Sequence, residues 1–151
     1  MIRNIEIKKL DPRAELPTYG TTDSAGVDLV ACISKPLEVP PFQTYLVPTG
    51  LSINMQTVVE DCVAMIFPRS GKGHKEGIVL GNSTGIIDKD YHGELKISVL
   101  NRNPDKYITI KPGDKIAQLV FLPLIKANFV EVTEFSSETE RGEGGFGSTG
   151  G

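Results

Sequence analysis

Asp88, a carboxylate that follows the two apolar residues Ile86 and Ile87, is the side chain in this 151-residue sequence best suited to activate a water molecule. On an expected hairpin, apolar neighbours would hold it rigidly and partly out of solvent, as a general base requires. The alternative role is a turn former, which suits Asp90 as well, since Asp readily bonds its own backbone. Pro68-Arg69-Ser70-Gly71 offers a cation, a hydroxyl and, at Gly71, close approach of backbone amides; the set suits phosphate oxygens, or is a plain exposed arginine beside a turn. Gln118 is an amide inside the apolar run Ile116 to Leu122, and must find partners there in a ligand or in the core. Arg141 to Gly151 reads RGEGGFGSTGG. Phe146 has no core to join among those glycines, so the face of a nucleobase suits it, with stacking worth roughly 1 to 3 kcal/mol. Arg141, Ser148 and Thr149 flank it with one charge and two hydroxyls suited to a phosphate, although a glycine-rich end is also the composition of plain disorder.

Three familiar patterns occur in the wrong context. Gly142, Gly144 and Gly147 satisfy G-x-G-x-x-G, but the dinucleotide fingerprint needs a preceding strand and a long following helix, and four residues follow Gly147. Gly81, Ser83 and Gly85 satisfy G-x-S-x-G, yet no helix is expected after them, and His92 is the one histidine downstream. Gly71-Lys72 resembles the end of a phosphate-binding P-loop, but Ile66 stands where that motif needs glycine and Gly73 where it needs Ser or Thr.

The elements that must position these groups are short. Apolar runs such as Ile5 to Ile7, Val27 to Ala31, Val63 to Phe67, Ile78 to Leu80, Leu95 to Leu100 and Ile116 to Leu122 are strand-sized. Leu95, Ile97 and Val99 alternate with Lys96 and Ser98, which puts the three apolar residues on one face. Ten prolines fall at or between the edges of such runs. Many short strands and frequent turns predict an all-β sandwich or barrel, with at most one short helix, over Ser70 to Glu76, weakened by Gly71 and Gly73. From Ser136 the apolar content collapses, so the expected organisation is one core domain, residues 1–135, and a mobile glycine-rich C-terminal arm, residues 136–151.

The balance of 16 Lys and Arg against 19 Asp and Glu, formally -3, argues against a broad cationic face for duplex nucleic acid. A bound polyanion must therefore be neutralised locally. Cys32 and Cys62 lack metal or redox spacing and are expected as buried free thiols. No apolar run approaches the roughly 20 residues needed to span a bilayer, and Met1 to Leu10 alternates charge with Ile, so neither membrane attachment nor a signal segment is expected and the default setting is cytoplasmic.

Taken in order, Ala25-Gly26-Val27-Asp28-Leu29, Pro68-Arg69-Ser70-Gly71, Gly85-Ile86-Ile87-Asp88-Lys89-Asp90-Tyr91, Gly113-Asp114-Lys115-Ile116-Ala117-Gln118 and the glycine-rich tail resemble the five motifs of the trimeric dUTPase family, from about Leu10 to the last residue. The resemblance implies a distorted jelly-roll or β-clip barrel and a homotrimer whose shared sites draw motifs from three chains, the arm crossing to a neighbour. The implied reaction is hydrolysis of dUTP to dUMP and pyrophosphate, which keeps uracil out of DNA and supplies dUMP. In it, water activated by Asp88 attacks the α-phosphorus. Asn82 and the backbone from Gly85 to Ile87 would read the uracil edge, leaving a cytosine with unpaired buried groups. Tyr91 would sit under the deoxyribose and leave no room for a 2'-hydroxyl. Arg69, Ser70, Gly71 and Gln118 would meet the phosphates; Arg141, Phe146, Gly147, Ser148 and Thr149 would close over the nucleotide. The implied cofactor is Mg²⁺, a hard cation carried by the phosphates, which Asp28 would reach through water; two scattered histidines and unclustered cysteines do not suit a transition metal. Lys115 stands where the family commonly has arginine, so no two-pronged contact is expected from it.

Two other readings compete. A deaminase acting on dCTP shares the core but attacks the base, needs no closing arm, and would release ammonia. A nucleotide-binding regulatory module would bind dUTP without releasing pyrophosphate.

Overall fold

The computed structural model describes residues 3–145. Its strands are β1 (Glu6–Lys9), β2 (Val27–Val30), β3 (Leu37–Val39), β4 (Thr44–Pro48), β5 (Leu51–Asn54), β6 (Cys62–Pro68), β7 (Ile78–Leu80), β8 (Gly85–Ile87), β9 (Lys96–Asn101), β10 (Ile108–Ile110) and β11 (Lys115–Pro123). Pro48, Pro68 and Pro123 each close a strand, where the missing N–H costs no interior ladder bond. Glu6, Ile7, Lys8 and Lys9 of β1 are all exposed; charge along such a peripheral strand discourages edge-to-edge association.

The strands pair antiparallel in a four-stranded sheet ordered β2-β11-β6-β8, a three-stranded sheet ordered β4-β9-β7, and two ribbons, β1-β5 and β3-β10. Among the described residues these sheets do not close into one continuous hydrogen-bonded barrel; they share a single apolar core. The period-two face of β9 is inside, with Leu95, Ile97 and Val99 buried and Lys96 exposed. Leu29 of β2, Val47 of β4, Ile53 of β5, Ile110 of β10 and Leu119 of β11 meet it there, each such buried side chain being worth about 1.5 to 3 kcal/mol. Asn101 is a fully buried polar residue beside this core: its Nδ2 donates to the carbonyls of Val39 and Lys106, and its Oδ1 accepts from the Asn103 backbone, tying β9 to β3 and to the turn before β10.

The helical segment falls where the sequence predicts it. It starts at Ser70 and runs as a π-helix over Lys72–Glu76, closed by Gly77, whose left-handed φ of 78° lets its N–H donate to the Lys72 carbonyl. Cys32 and Cys62 are free, as expected, but only partly buried: both lie at the ends of strand runs, not within them.

Candidate active site

The four-stranded sheet builds a compact charged cluster at one end. Asp28 of β2 stands directly across from Gln118 of β11, which stands across from Phe67 of β6. Between Lys115 and Ala117 the pairing with β2 slips by one residue, so that Lys115 opposes Val30. In a regular strand, Lys115 and Gln118 would point to opposite faces, being three positions apart; the bulge turns Lys115 onto the face that Gln118 and Asp28 share. Its ammonium then lies 2.8 Å from Asp28 Oδ2, while Arg69 Nε lies 2.8 Å from Oδ1.

Asp28 is thus a mostly buried carboxylate, 17% exposed, clamped between two cations. One negative charge against two positive ones leaves the cluster a net cation, a condition for receiving an anion. Ser70 and Gly71 complete the rim of a cavity of about 360 Å³ that Asp28, Arg69 and Gln118 also line. Apart from its chain neighbours and its own helix backbone, no atom of the described residues lies within 4 Å of where a Cβ would stand on Gly71, so that side of it is open. The Gln118 amide is half committed to the fold: Nε2 donates to the Pro68 carbonyl at 2.9 Å, and Oε1 faces Gly26. Beside the roles expected of them, Arg69 and Gln118 therefore make structural contacts. Lys115, which sequence reasoning left out, joins them through a bulge that no residue type announces.

The other expected group sits elsewhere. The hairpin predicted around Asp88 is not formed: β8 pairs with β6, while its sequence neighbours β7 and β9 pair with each other in the second sheet. The segment crosses between sheets because buried Gly85 lets β8 press onto Ile66, whose Cβ would stand 3.2 Å from a Cβ at that position. Asp88 just beyond is exposed in the isolated chain, not partly desolvated as expected. Lys89, between Asp88 and Asp90, reaches away from both and donates to the Glu60 carbonyl at 3.1 Å. As the outer strand of its sheet, β8 leaves one row of main-chain N–H and C=O groups without a strand partner among the described residues, which suits reading the edge of a base. Asn82 is exposed in the preceding turn, where Ser83 takes a φ of 61° and donates its N–H to the Leu80 carbonyl. Tyr91 lines a cavity together with Ile87 and Asp88, and its hydroxyl donates to the Glu94 carbonyl at 3.0 Å.

Within one chain these two groups do not meet. β2 and β8 are opposite edges of the sheet, three strand spacings apart, about 14 Å. Ile87, next to Asp88, pairs with Ala64, three residues along β6 from the Phe67 that lines up with Asp28, about 10 Å more. Asp88 and the Arg69–Asp28–Lys115 cluster are therefore on the order of 17 Å apart and open into different cavities.

From Leu124 to residue 145 there is no strand, and Ile125, Phe129 and Phe135 are 94%, 94% and 91% exposed. Arg141 folds onto its own segment, its Nε donating to the Gly144 carbonyl. Phe146, Gly147, Ser148 and Thr149 lie outside the described residues. The carboxyls that are lowered lie outside the Asp28 and Tyr91 cavities: hydrogen bonds from the Arg13 side chain and backbone lower Asp11 to about 2, and the Arg3 guanidinium lowers Glu60. Among the described residues no three His, Cys, Asp or Glu side chains gather as a metal cage. The Asp28 carboxylate and the Gln118 amide oxygen are hard acceptors, and fit the water shell of a hard cation whose direct ligands would come from phosphates and water.

A model of the dUTPase family matches residues 12–150. A deoxyuridine 5'-triphosphate nucleotidohydrolase from Legionella pneumophila is 54% identical over 97% of this chain and 96% of its own length. The enzyme of that name from Shigella flexneri is 51% identical over 99% of both chains. In three dimensions the chain is similar to the dUTPase of Staphylococcus bacteriophage 80alpha solved with dUPNHPP, with a TM-score of 0.84 and 27% identity over 99% of both chains. A mutant dUTPase from phage phi11 of S. aureus, described with a structural Mg(II) ion, shares the fold at a TM-score of 0.79 and 24% identity, over 89% of this chain and all of that one. The likeness extends through nearly the whole chain, and its architecture is the jelly roll expected from the motifs.

Proposed function

The chain belongs to the dUTPase family, and on that premise we propose that it cleaves dUTP by in-line attack of a water activated at Asp88 on the α-phosphorus. The water oxygen bonds to phosphorus as its proton passes to the Asp88 carboxylate. The bond from the α-phosphorus to the bridging oxygen breaks, its electron pair leaves with pyrophosphate, and dUMP remains. Arg69, Ser70 and the Gly71 amide hold the phosphates, while Asp28, paired on its other oxygen with Lys115, positions the Arg69 guanidinium. Mg²⁺ bound with the triphosphate, and reached by Asp28 through water, would neutralise phosphate charge. The outer edge of β8 and Asn82 pair with uracil, and Tyr91 walls the sugar. Arg141, Phe146, Gly147, Ser148 and Thr149 close over the nucleotide. We place the activity in the cytoplasm; no helix among the described residues is long and apolar enough to cross a membrane.

The observation that carries the reading is the division of the site within one chain. A base on β8 and a phosphate cradle about 17 Å away at the β2 edge cannot serve one phosphorus unless copies of the chain bring them together. The apolar residues exposed between Ile125 and Phe135 supply a surface for that packing. We therefore assign a homotrimer with shared sites, residues 1–135 forming its core and residues 136–151 the closing arm.

A nucleotide panel tests the chemistry. With Mg²⁺ present, pyrophosphate is expected from dUTP at catalytic rates and at least roughly hundredfold more slowly from dCTP and UTP, because the wrong base leaves buried polar groups unpaired and the wrong sugar meets Tyr91. Ammonia released from dCTP would point to the deaminase reading, and dUTP bound but left intact to a regulatory module.

A further inference from the structure

We propose that Gly93 is a specificity-positioning residue: by carrying no side chain, it seats the Tyr91 ring against the turn from Tyr91 to Glu94 and thereby sets discrimination against a 2'-hydroxyl. The inference rests on the reading of Tyr91 as the wall beside the sugar.

Tyr91 is 44% exposed, so burial in the core does not hold its ring. Its own turn does. The hydroxyl donates to the Glu94 carbonyl at 3.0 Å, and the Tyr91 N–H donates to the Asp88 carbonyl at 3.1 Å. Glu94 is fixed in turn, its Oε1 accepting from the Gly50 N–H at 3.0 Å. Between these anchors the ring lies over Gly93: a Cβ there would stand 2.5 Å from Tyr91 Cζ and 2.9 Å from Cε2, and the nearest atoms it would meet all belong to Tyr91. The backbone at Gly93 is not left-handed, so glycine is not needed there for its torsion angles; it is needed for space. A methyl group requires about 3.5 to 4 Å to an aromatic carbon, so alanine would lift the ring by about 1 Å. Displacements of that size in a positioning contact cost up to about 10²-fold in rate.

The test compares kcat/KM for dUTP and UTP in the unaltered enzyme and in Gly93→Ala, Tyr91→Ala, Tyr91→Phe and the double variant Gly93→Ala/Tyr91→Ala. Gly93→Ala is expected to lower the dUTP-to-UTP ratio roughly tenfold, and the double variant to match Tyr91→Ala, since the three atoms nearest a methyl at 93 all belong to the Tyr91 side chain. Tyr91→Phe keeps the ring on its seat and is expected to retain most of the discrimination, which provides a reading even if Gly93→Ala fails to fold. An unchanged ratio in Gly93→Ala, a double variant worse than Tyr91→Ala, or loss in Tyr91→Phe as complete as in Tyr91→Ala overturns the role of Gly93. An unchanged ratio in Tyr91→Ala would instead overturn the reading of Tyr91 itself.

Discussion

Asp88→Asn is expected to lower kcat for dUTP by roughly 10²- to 10⁴-fold while leaving nucleotide affinity within a few-fold. Asparagine keeps the shape of the side chain but cannot take a proton from water. The position bears little on the fold, because Asp88 is exposed beyond the end of β8 and the Lys89 ammonium is bonded to Glu60 on the other side. A stable variant with defective turnover therefore isolates the chemical step. Pyrophosphate release gives kcat, and titration with a non-hydrolysable dUTP analogue gives Kd. Turnover near that of the unaltered enzyme would remove Asp88 from the mechanism.

Removing Arg141 to Gly151 is expected to leave a folded, identically assembled core with at least roughly hundredfold lower kcat/KM, since closure of the proposed arm excludes water and completes the site. Arg141 to Glu143 are exposed, and Arg141 bonds only to the nearby Gly144 carbonyl, so no core contact among the described residues is lost with them. The truncation spares the exposed Ile125, Phe129 and Phe135, to which the proposed packing between copies is assigned. Light scattering checks assembly and thermal unfolding checks the core, alongside the kinetics. A truncated chain that falls to monomers would show that the final residues hold the assembly together, and would contradict their assignment to closure.

What could be read in advance follows how local the determining physics is. The inward face of β9 is written in the alternation of Leu95, Ile97 and Val99, and the short helix in a stretch from Ser70 to Glu76 bounded by Pro68 and Gly77. Strand β3 escapes notice because Leu37 to Val39 is three residues set between Pro36 and Pro40, too short for periodicity to register. The hairpin expected at Asp88 fails for a different reason. A glycine and two isoleucines specify a strand but not its partner, and the fit of Gly85 against Ile66 selects β6. Residue types point to Arg69 and Gln118 as polar groups in need of partners, whereas the ion pair from Lys115 to Asp28 depends on a one-residue slip in register. Motif order likewise brings Asp88 and Arg69 onto one list without revealing that a single chain keeps them apart.

That separation permits the most direct test. Asp88→Asn and Arg69→Ala chains, each expected to be nearly inactive alone, are unfolded together in equal amounts and reassembled. If each site takes its base from one copy and its phosphate cradle from another, about a quarter of the sites regain both, and activity returns to about a quarter of that of the unaltered enzyme. Activity no greater than the average of the two variants reassembled separately would mean that each chain carries its own complete site, and would contradict the account.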